Sequence, residues 1–349
     1  MHLNQGRLGE ILKGLGVARV IEKEEFSRLV RNALGVKELN VNEIPYRIRE
    51  DYSRFSRKRT VFFRYRKEGY LEEKLDNMDV LGEGLIRTSW MLHNIHMMRS
   101  WRARRAKIEA YDKDLLTKVI KRASLFYGAD LVGVAPYDER WAYAEFDPPF
   151  KVRYVVVLGF EMDIGANRDD IILSAEVGLN YSRMSITALL VSEFIRSLGY
   201  NALPQGNEGS LTIPFAVLAG LGEIGRMGLL ITPEFGARVR LAKVLTDAPL
   251  VPDRPISFGL WDKCMNCNLC ADACPAGAIP YGPPSWESRA GQIGVLKWSI
   301  DPVRCYEYWR KIGHSCAKCI YACPYSRTLW DMYRIEARQK ALRKITGGV

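Results

Sequence analysis

The cysteines are the residues whose type and spacing most directly indicate chemistry in this chain. A C-x2-C-x2-C-x3-C-P run contains four of them, which are Cys264, Cys267, Cys270 and Cys274. In ferredoxins, three thiolates of such a run hold one 4Fe-4S cluster and the fourth reaches to another cluster. A second group of ligands is therefore expected downstream. It is formed by Cys305, Cys316, Cys319 and Cys323.

The ferredoxin pattern also predicts how the thiolates are shared between two clusters. One cluster would be held by Cys264, Cys267, Cys270 and Cys323. The other would be held by Cys274, Cys305, Cys316 and Cys319. This assignment uses all eight cysteines.

Two other uses of cysteine fit the sequence less well. Zinc sites also use paired CxxC elements, but they need neither a third cysteine nor a proline after each run. Disulfides suit small secreted frameworks. The chain is predicted to transfer single electrons.

The length of the chain indicates that electron transfer is only part of its function. Its 349 residues suggest two domains, and the roughly 250 residues before the first cysteine are far more than a ferredoxin needs. No apolar run is long enough for a membrane-spanning helix, and the sequence after Met1 lacks the charged start and apolar centre of a signal peptide. We therefore expect a cytoplasmic protein, with peripheral association with a membrane left open.

Positive charge is concentrated in the first third of the chain. The formal net charge is +11, and residues 1–110 contain 23 Lys and Arg against 15 Asp and Glu. The densest basic run, at residues 54–67, is interleaved with aromatic side chains. Such a run suits nucleic acid binding. It equally suits a solvated face, or a rim that attracts an anionic cofactor or an acidic redox partner.

Hydrophobic periodicity predicts the elements that would position a site. A helix is predicted over residues 112–128, and buried strands are predicted at 131–135 and 154–158. A further helix is predicted to begin near Tyr181 and to end at Gly199, with one inward-facing stripe. The stripe consists of Tyr181, Met184, Ala188, Val191, Ile195 and Leu198.

Two further motifs resemble ligand sites but lack the required surroundings. Residues 220–225 match the GxGxxG dinucleotide fingerprint, which must follow a strand within a βαβ unit. Here residues 213–219 predict a short helix with Gly220 at its end, so we reject that interpretation. His93 and His96 have a spacing that could ligate metal, but no third ligand lies nearby in the sequence.

The segment 237–245 alternates like a strand, which places Arg238 and Arg240 on one face. Two guanidinium groups beside small apolar residues suit recognition of an anion or a polar ligand, although a solvent-facing edge would look the same. Residues 327–343 predict a basic amphipathic helix that packs along the surface.

Several longer segments resemble the cobalamin-dependent reductive dehalogenases. They are residues 179–184, 198–200, 204–207, 219–240 and 246–250, with the two cysteine runs following in the order of that family. Residues 129–135 fit as well, and the resemblance extends over residues 112–330. Residues 1–110 resemble that family's variable N-terminal portion only weakly.

The resemblance implies an α+β fold, in which a nitroreductase-like α/β cobalamin-binding domain carries a C-terminal ferredoxin-like domain with two 4Fe-4S clusters. The expected organisation is a variable mixed-helical region at 1–110, the cobalamin-binding domain at 111–255, the two-cluster domain at 256–330 and a basic tail at 331–349. The corrinoid would be bound base-off. The expected substrate is a small organohalide, and the electron donor would be ferredoxin-type or membrane-linked. The short chain and the missing export signal argue against respiratory use.

By position, the resemblance also assigns roles to individual residues. Tyr181 corresponds to the family's proton-donating tyrosine, Asn207 to its substrate-pocket asparagine and Arg240 to the arginine beside that tyrosine. Cofactor contacts are expected from Thr232, Gly236 and Arg238.

Carbon–halogen reduction needs two electrons and a proton, and the clusters would pass electrons singly to cobalt, reaching Co(I). A phenol keeps its proton at neutral pH, and a nearby arginine stabilises the phenolate left after donation.

Two alternatives share part of this pattern. Epoxyqueuosine reductase, a tRNA-modifying cobalamin and 4Fe-4S enzyme, is similar in its cluster motifs and its Ala-Gly-Leu-Gly segment, and a basic surface would suit tRNA. That enzyme uses an aspartate as acid near the position of Asn207, and an amide cannot donate a proton comparably, so no specific nucleic acid is expected as a partner. A non-catalytic electron-transfer subunit would bind clusters but no corrinoid.

Overall fold

A computed structural model of the chain describes residues 10, 12–61, 101–104, 112–163, 170–287, 294–326 and 328–346. Within them the α-helices are α1 (Ala18–Ala33), α2 (Lys113–Phe126), α3 (Asp170–Ser197), α4 (Thr212–Leu218), α5 (Leu260–Asn266), α6 (Leu269–Asp272), α7 (Pro302–Ile312), α8 (Lys318–Ala322) and α9 (Thr328–Thr346). Short 3-10 helices lie at Val41–Glu43, Arg57–Arg59, Glu139–Trp141 and Pro324–Ser326. His93, His96 and the end of the basic run lie outside the described residues.

The strands form one principal sheet and two small ribbons. They are β1 (Lys37–Glu38), β2 (Leu131–Pro136), β3 (Tyr154–Glu161), β4 (Ala202–Gln205), β5 (Glu223–Ile224), β6 (Leu230–Ile231), β7 (Val239–Thr246) and β8 (Ile256–Ser257). The principal sheet has the order β2-β3-β7-β4, and β1 pairs with β8 and β5 with β6. All of these pairs are antiparallel. The predicted α+β class and the three predicted strands are confirmed.

Helices cover both faces of the principal sheet, as a sheet that is apolar on both faces requires. On one face, α2 and α3 pack against β3 and β7, and the shared core includes Leu116, Ile120, Val156, Met184, Val191 and Val244. On the other face, α4 packs with α1 and α9 in a core that includes Phe26, Val30, Val155, Phe215, Leu245 and Ala341. The predicted stripe of the long helix faces the first of these cores, as expected.

The long helix α3 begins at Asp170, so the prediction that it begins near Tyr181 was wrong by about three turns. The earlier turns have their own buried residues, Leu173 and Val177, which pack with Met162 and Ala317 rather than with the sheet core. The inward stripe therefore changes partners along the helix. The sheet-facing stripe therefore begins at Tyr181, although the helix itself begins at Asp170.

Helix α4 precedes the glycine-rich segment, and the short strand β5 lies within it. The chain thus enters residues 220–225 from a helix, which confirms the rejection of a dinucleotide-binding interpretation. The predicted C-terminal helix is also confirmed as α9. It packs on α1, where Arg338 pairs with Glu22 at 3.1 Å and Lys344 with Glu25 at 2.9 Å. In the described part of the chain, no helix has the length and apolar character needed to cross a membrane.

Candidate active site and cluster-binding segment

Tyr181 lies in the middle of α3, where the helix changes its packing partners. The half-buried ring belongs both to the sheet core and to the smaller apolar cluster of Met162, Leu173, Val177 and Ala317. Ile320 and Tyr321, which directly follow Cys319, pack against the same smaller cluster. The helix therefore places the phenol next to the segment that carries the second cysteine group.

Asn207 reaches the same phenol from the loop that follows β4. Its Nδ2 donates a hydrogen bond to the Tyr181 hydroxyl oxygen at 2.8 Å, and its side chain is exposed. Because the amide is the donor in this bond, the phenol retains its own proton for a different acceptor. The contact unites two of the three residues predicted to be catalytic.

Arg240 provides the third member of this group. It lies on β7 opposite Phe160 of β3, and its Cζ is 5.4 Å from the centre of the Tyr181 ring. A guanidinium over a ring at this distance makes a cation–π contact. Its buried Nε has no hydrogen-bond partner among the described residues. A positive charge here favours the phenolate that would remain after proton donation.

Lys243 supports the loop that presents Asn207, and sequence reasoning missed this role because its only signal is a charge within a strand pattern. The lysine is completely buried. Its Nζ donates to Gly206 O at 2.7 Å, to Thr212 Oγ1 at 2.9 Å and to Ser210 O at 3.1 Å. Burial lowers the pKa of Lys243 to about 7, and the charge of Glu208 opposes this effect. One buried ammonium group thus fixes both ends of the loop.

A second phenol, Tyr143, lies beside the group and was also missed. Its backbone N–H donates to Gly209 O at 2.9 Å, in the loop that contains Asn207. Burial raises the pKa of Tyr143 to about 12, the charges of Glu208 and Tyr181 raise it further, and Arg57 opposes them. An aromatic residue in a proline-rich loop offers no sequence signal for such a position.

The three residues predicted to contact the cofactor lie in the segment between β6 and β7. Arg238 is buried, donates through Nη1 to Met162 O, and places Nη2 3.5 Å from Glu161 Oε1. Thr232 and Gly236 exchange backbone hydrogen bonds of 2.9 and 3.0 Å. Gly236 has a φ of 59°, and a Cβ there would lie 2.3 Å from Tyr325 O. Only glycine permits this close approach of the sheet to the chain that follows Cys323.

The cysteines are all free thiols, and four of them influence one another electrostatically. Burial raises the pKa of Cys323 to about 12, and the charges of Cys264, Cys270 and Cys267 add to the rise. Burial likewise raises the pKa of Cys270 to about 11, with contributions from Cys264 and Cys267. Cys323 therefore lies among the first three cysteines of the upstream run.

The remaining four thiols form a second, adjoining set. Burial raises the pKa of Cys319 to about 12, and the neighbours that add most to the rise are Cys305, Cys316 and Cys274. Burial raises the pKa of Cys305 to about 11, with Cys274 and Cys316 next in effect. These neighbours are the four residues that the ferredoxin pattern assigns to one cluster.

The donor chemistry of both sets fits iron–sulfur clusters. Bound metal drives deprotonation of thiols whose protons are otherwise held tightly. No group of His, Cys, Asp or Glu in the described ranges is arranged to hold a single metal ion. A 4Fe-4S cluster binds one thiolate at each iron, so its four ligands lie farther apart than the ligands of a single metal ion. Four thiols grouped around a common volume suit such a cluster.

Comparison with known proteins agrees with these features. Residues 263–326 match the family of 4Fe-4S dicluster domains, which confirms the prediction of two 4Fe-4S clusters. A tetrachloroethene reductive dehalogenase of Dehalobacter restrictus is 37% identical over 292 aligned residues, with 66% of this chain and 53% of that protein covered. This chain is similar to reductive dehalogenases over about two thirds of its length. The resemblance seen in the sequence is thereby confirmed.

The structural comparison extends over more of this chain than the sequence comparison does. A solved reductive dehalogenase, described with a mechanism for B12-dependent dehalogenation, has a TM-score of 0.71 at 26% identity, covering 89% of this chain and 46% of that one. The chain thus spans about half the length of the relatives it matches. An epoxyqueuosine reductase of Listeria monocytogenes is 34% identical over 120 residues, covering 33% of this chain. The likeness to that enzyme is less extensive.

Proposed function

We propose that this chain is a corrinoid-dependent reductive dehalogenase-like oxidoreductase that replaces a carbon-bound halogen by hydrogen. The observation that supports this most directly is the contact of Tyr181 with Asn207 and Arg240 beside the cysteine segment. The net reaction converts an organohalide, two electrons and one proton into the dehalogenated product and a halide ion. The chain offers a phenol for the proton and two thiol sets for the clusters that deliver the electrons.

Tyr181 is the proposed proton donor. Transfer of its hydroxyl proton leaves a phenolate. Arg240 stabilises that anion through its charge, and Asn207 stabilises it through its N–H donor. The half-buried position of the ring excludes part of the solvent, which strengthens both interactions. A general acid of this kind contributes about 100-fold to 10,000-fold in rate.

The eight cysteines are proposed to hold the two clusters in the crossed arrangement. The first cluster is assigned to Cys264, Cys267, Cys270 and Cys323. The second cluster is assigned to Cys274, Cys305, Cys316 and Cys319. The electrostatic neighbours of Cys319 and Cys323 support this division. The two sets also adjoin, since Cys270 is among the charged neighbours of Cys319.

The corrinoid is proposed to bind at the site that contains the exposed amide of Asn207 and the half-buried phenol of Tyr181. Bound base-off, it would supply low-valent cobalt for reduction of the carbon–halogen bond. The proposed contacts Thr232, Gly236 and Arg238 are buried, so they would act by shaping the wall of the site. We place the corrinoid-binding domain at 111–255 and the two-cluster domain at 256–330.

The proposed substrate is a small organohalide. The Dehalobacter relative is named for tetrachloroethene, which is a small organohalide. The proposed electron source is a ferredoxin-type or membrane-linked donor that passes single electrons to the clusters.

The proposal is tested on protein reconstituted anaerobically with iron, sulfide and cobalamin. We expect about eight irons per chain, a bound corrinoid visible in the absorption spectrum, and halide release from chlorinated ethenes or halogenated phenols with reduced viologen as donor. Full iron content without corrinoid would instead identify an electron-transfer subunit. Tight, selective binding of a queuosine-type tRNA anticodon arm at physiological salt would support the tRNA-modifying alternative.

A further inference from the structure

The glycine-rich segment that mimics a dinucleotide fingerprint ends in a buried arginine. Arg226 is 1% exposed. It donates to Cys264 O at 2.6 Å, to Gly282 O at 2.7 Å, to Cys267 O at 2.8 Å, to Pro280 O at 3.0 Å and to Met265 O at 3.4 Å. Its Cζ also lies 5.2 Å from the Trp298 ring. The guanidinium thus binds the backbone of the first cysteine run from inside the protein.

The charge of Arg226 is not matched by a carboxylate in the part of the chain that the structure describes. All of its described hydrogen bonds go to neutral carbonyl groups. A buried cation costs several kcal/mol in general unless negative charge compensates it. Its hydrogen bonds place it directly against the backbone of Cys264 and Cys267, two of the proposed ligands of one cluster. A bound cluster with its thiolate ligands would supply negative charge beside this cation.

A buried acid from the same segment holds the opposite end of the same helix. Glu223 is 2% exposed and accepts from Phe258 N at 2.8 Å and from Leu260 N at 3.3 Å, at the start of α5. Arg226 binds the carbonyls at the end of α5. An acid at the start and a base at the end both match the helix dipole. Helix α5, which carries Cys264, is clamped at its two ends.

Two glycines of the same segment permit the close approach. A Cβ on Gly222 would lie 2.2 Å from Ile231 O, and one on Gly225 would lie 2.5 Å from Ile231 Cδ1. Cys264 Sγ would be 3.8 Å from the latter Cβ. The spacing of the motif thus follows from packing against β6 and the cysteine segment, without any nucleotide.

We propose that Arg226 is a positioning residue that fixes the ligand loop of the cluster held by Cys264, Cys267 and Cys270, and that its charge favours the reduced form of that cluster. A reduced cluster carries one more negative charge than an oxidised one, so a nearby buried cation stabilises it. The inference rests on the proposed assignment of these three ligands. It does not depend on dehalogenation.

The test is a potentiometric titration of the anaerobic two-cluster protein, followed by electron paramagnetic resonance, with iron content measured in parallel. Arg226→Gln removes the charge, and we expect the equilibrium constant for one-electron reduction of one cluster to fall about tenfold or more, which is about 59 mV. The other cluster keeps its potential. Arg226→Lys retains the charge and is expected to restore the potential, with lower iron content because lysine lacks the planar fork.

A matched control is Arg196→Gln, which removes another buried arginine. Arg196 binds Arg102 O and pairs with Glu193, and its loss is expected to leave both potentials unchanged. The Cys267→Ser variant identifies which transition belongs to the proposed cluster. Loss of that cluster alone in Arg226→Gln, with recovery in Arg226→Lys, also supports the proposal.

Three results would overturn it: unchanged potentials in Arg226→Gln, equal shifts or losses at both clusters, or an Arg226→Lys variant as altered in potential as the glutamine variant. The titration needs neither corrinoid nor organohalide. Failure of this inference therefore leaves the proposed dehalogenation intact, and absence of dehalogenation would leave the titration interpretable.

Discussion

Replacement of Tyr181 by phenylalanine separates catalysis from folding more cleanly than any other change in the candidate site. The ring belongs to the inward stripe of α3, and Tyr181→Phe retains that ring, so no cavity forms. The lost hydroxyl leaves the Asn207 amide without its 2.8 Å partner, but Asn207 is exposed and water can replace the bond. We therefore expect a change in unfolding free energy of about 1 kcal/mol or less.

The effect on turnover should be much larger. Loss of a general acid costs roughly 100-fold or more, which corresponds to about 2.7 kcal/mol in the activation barrier. The assay is anaerobic halide release with reduced viologen, together with iron and corrinoid content and the thermal midpoint. Tyr127→Phe, which removes another phenol packed at the same core, is the matched control and should retain activity. Full activity of Tyr181→Phe on every substrate of the unaltered protein would refute the assignment of this phenol as proton donor.

Further predictions concern the loop, the buried lysine and the crossed ligands. Asn207→Asp places an acid, anionic at neutral pH, beside the phenol, and halide release should fall while cofactor content is retained; undiminished release would contradict the role of the amide. Lys243 has its pKa lowered to about 7 by burial, so the unfolded chain binds more protons between about pH 7 and pH 10. The contribution of this group to stability should rise with pH across that interval and be lost as pH falls through about 7. The measurement is the free energy of unfolding of the protein and of Lys243→Met, obtained by chemical denaturation across this pH range. The difference between the two free energies should rise with pH over the same interval. Cys323→Ser should remove the cluster of the upstream run, and Cys274→Ser that of the downstream run, as measured by iron content and by the two redox transitions; the reverse pattern would exclude crossed ligation.

The elements whose signal is local could be predicted from the sequence. The strand at 154–158 is a run of β-branched and aliphatic residues, and the structure places it at the centre of the sheet as β3. After Tyr181, the stripe residues Met184, Ala188, Val191, Ile195 and Leu198 recur at helical spacing and pack in one core. The cysteine runs are similarly self-contained, since cluster chemistry dictates their spacing.

Features that depend on distant contacts could not be predicted. The first turns of α3 pack with Ala317, which is more than a hundred positions away, so their periodicity is not that of the sheet-facing stripe. Lys243 stands in an alternating strand, where a charge ordinarily indicates a solvated face. It is buried because the loop at 206–212 folds over it and supplies three acceptors.

The pairing of α1 with α9 has a consequence for how the protein is made. Glu22 and Arg338, which join the two helices, are 316 positions apart, and contacts this distant form late because a long loop must close first. During synthesis, Phe26 of α1 and Phe215 of α4 emerge long before Ala341 is available to share their core. That apolar face remains uncovered until α9 has left the ribosome, and it is then the part of the nascent chain that we expect chaperones to protect.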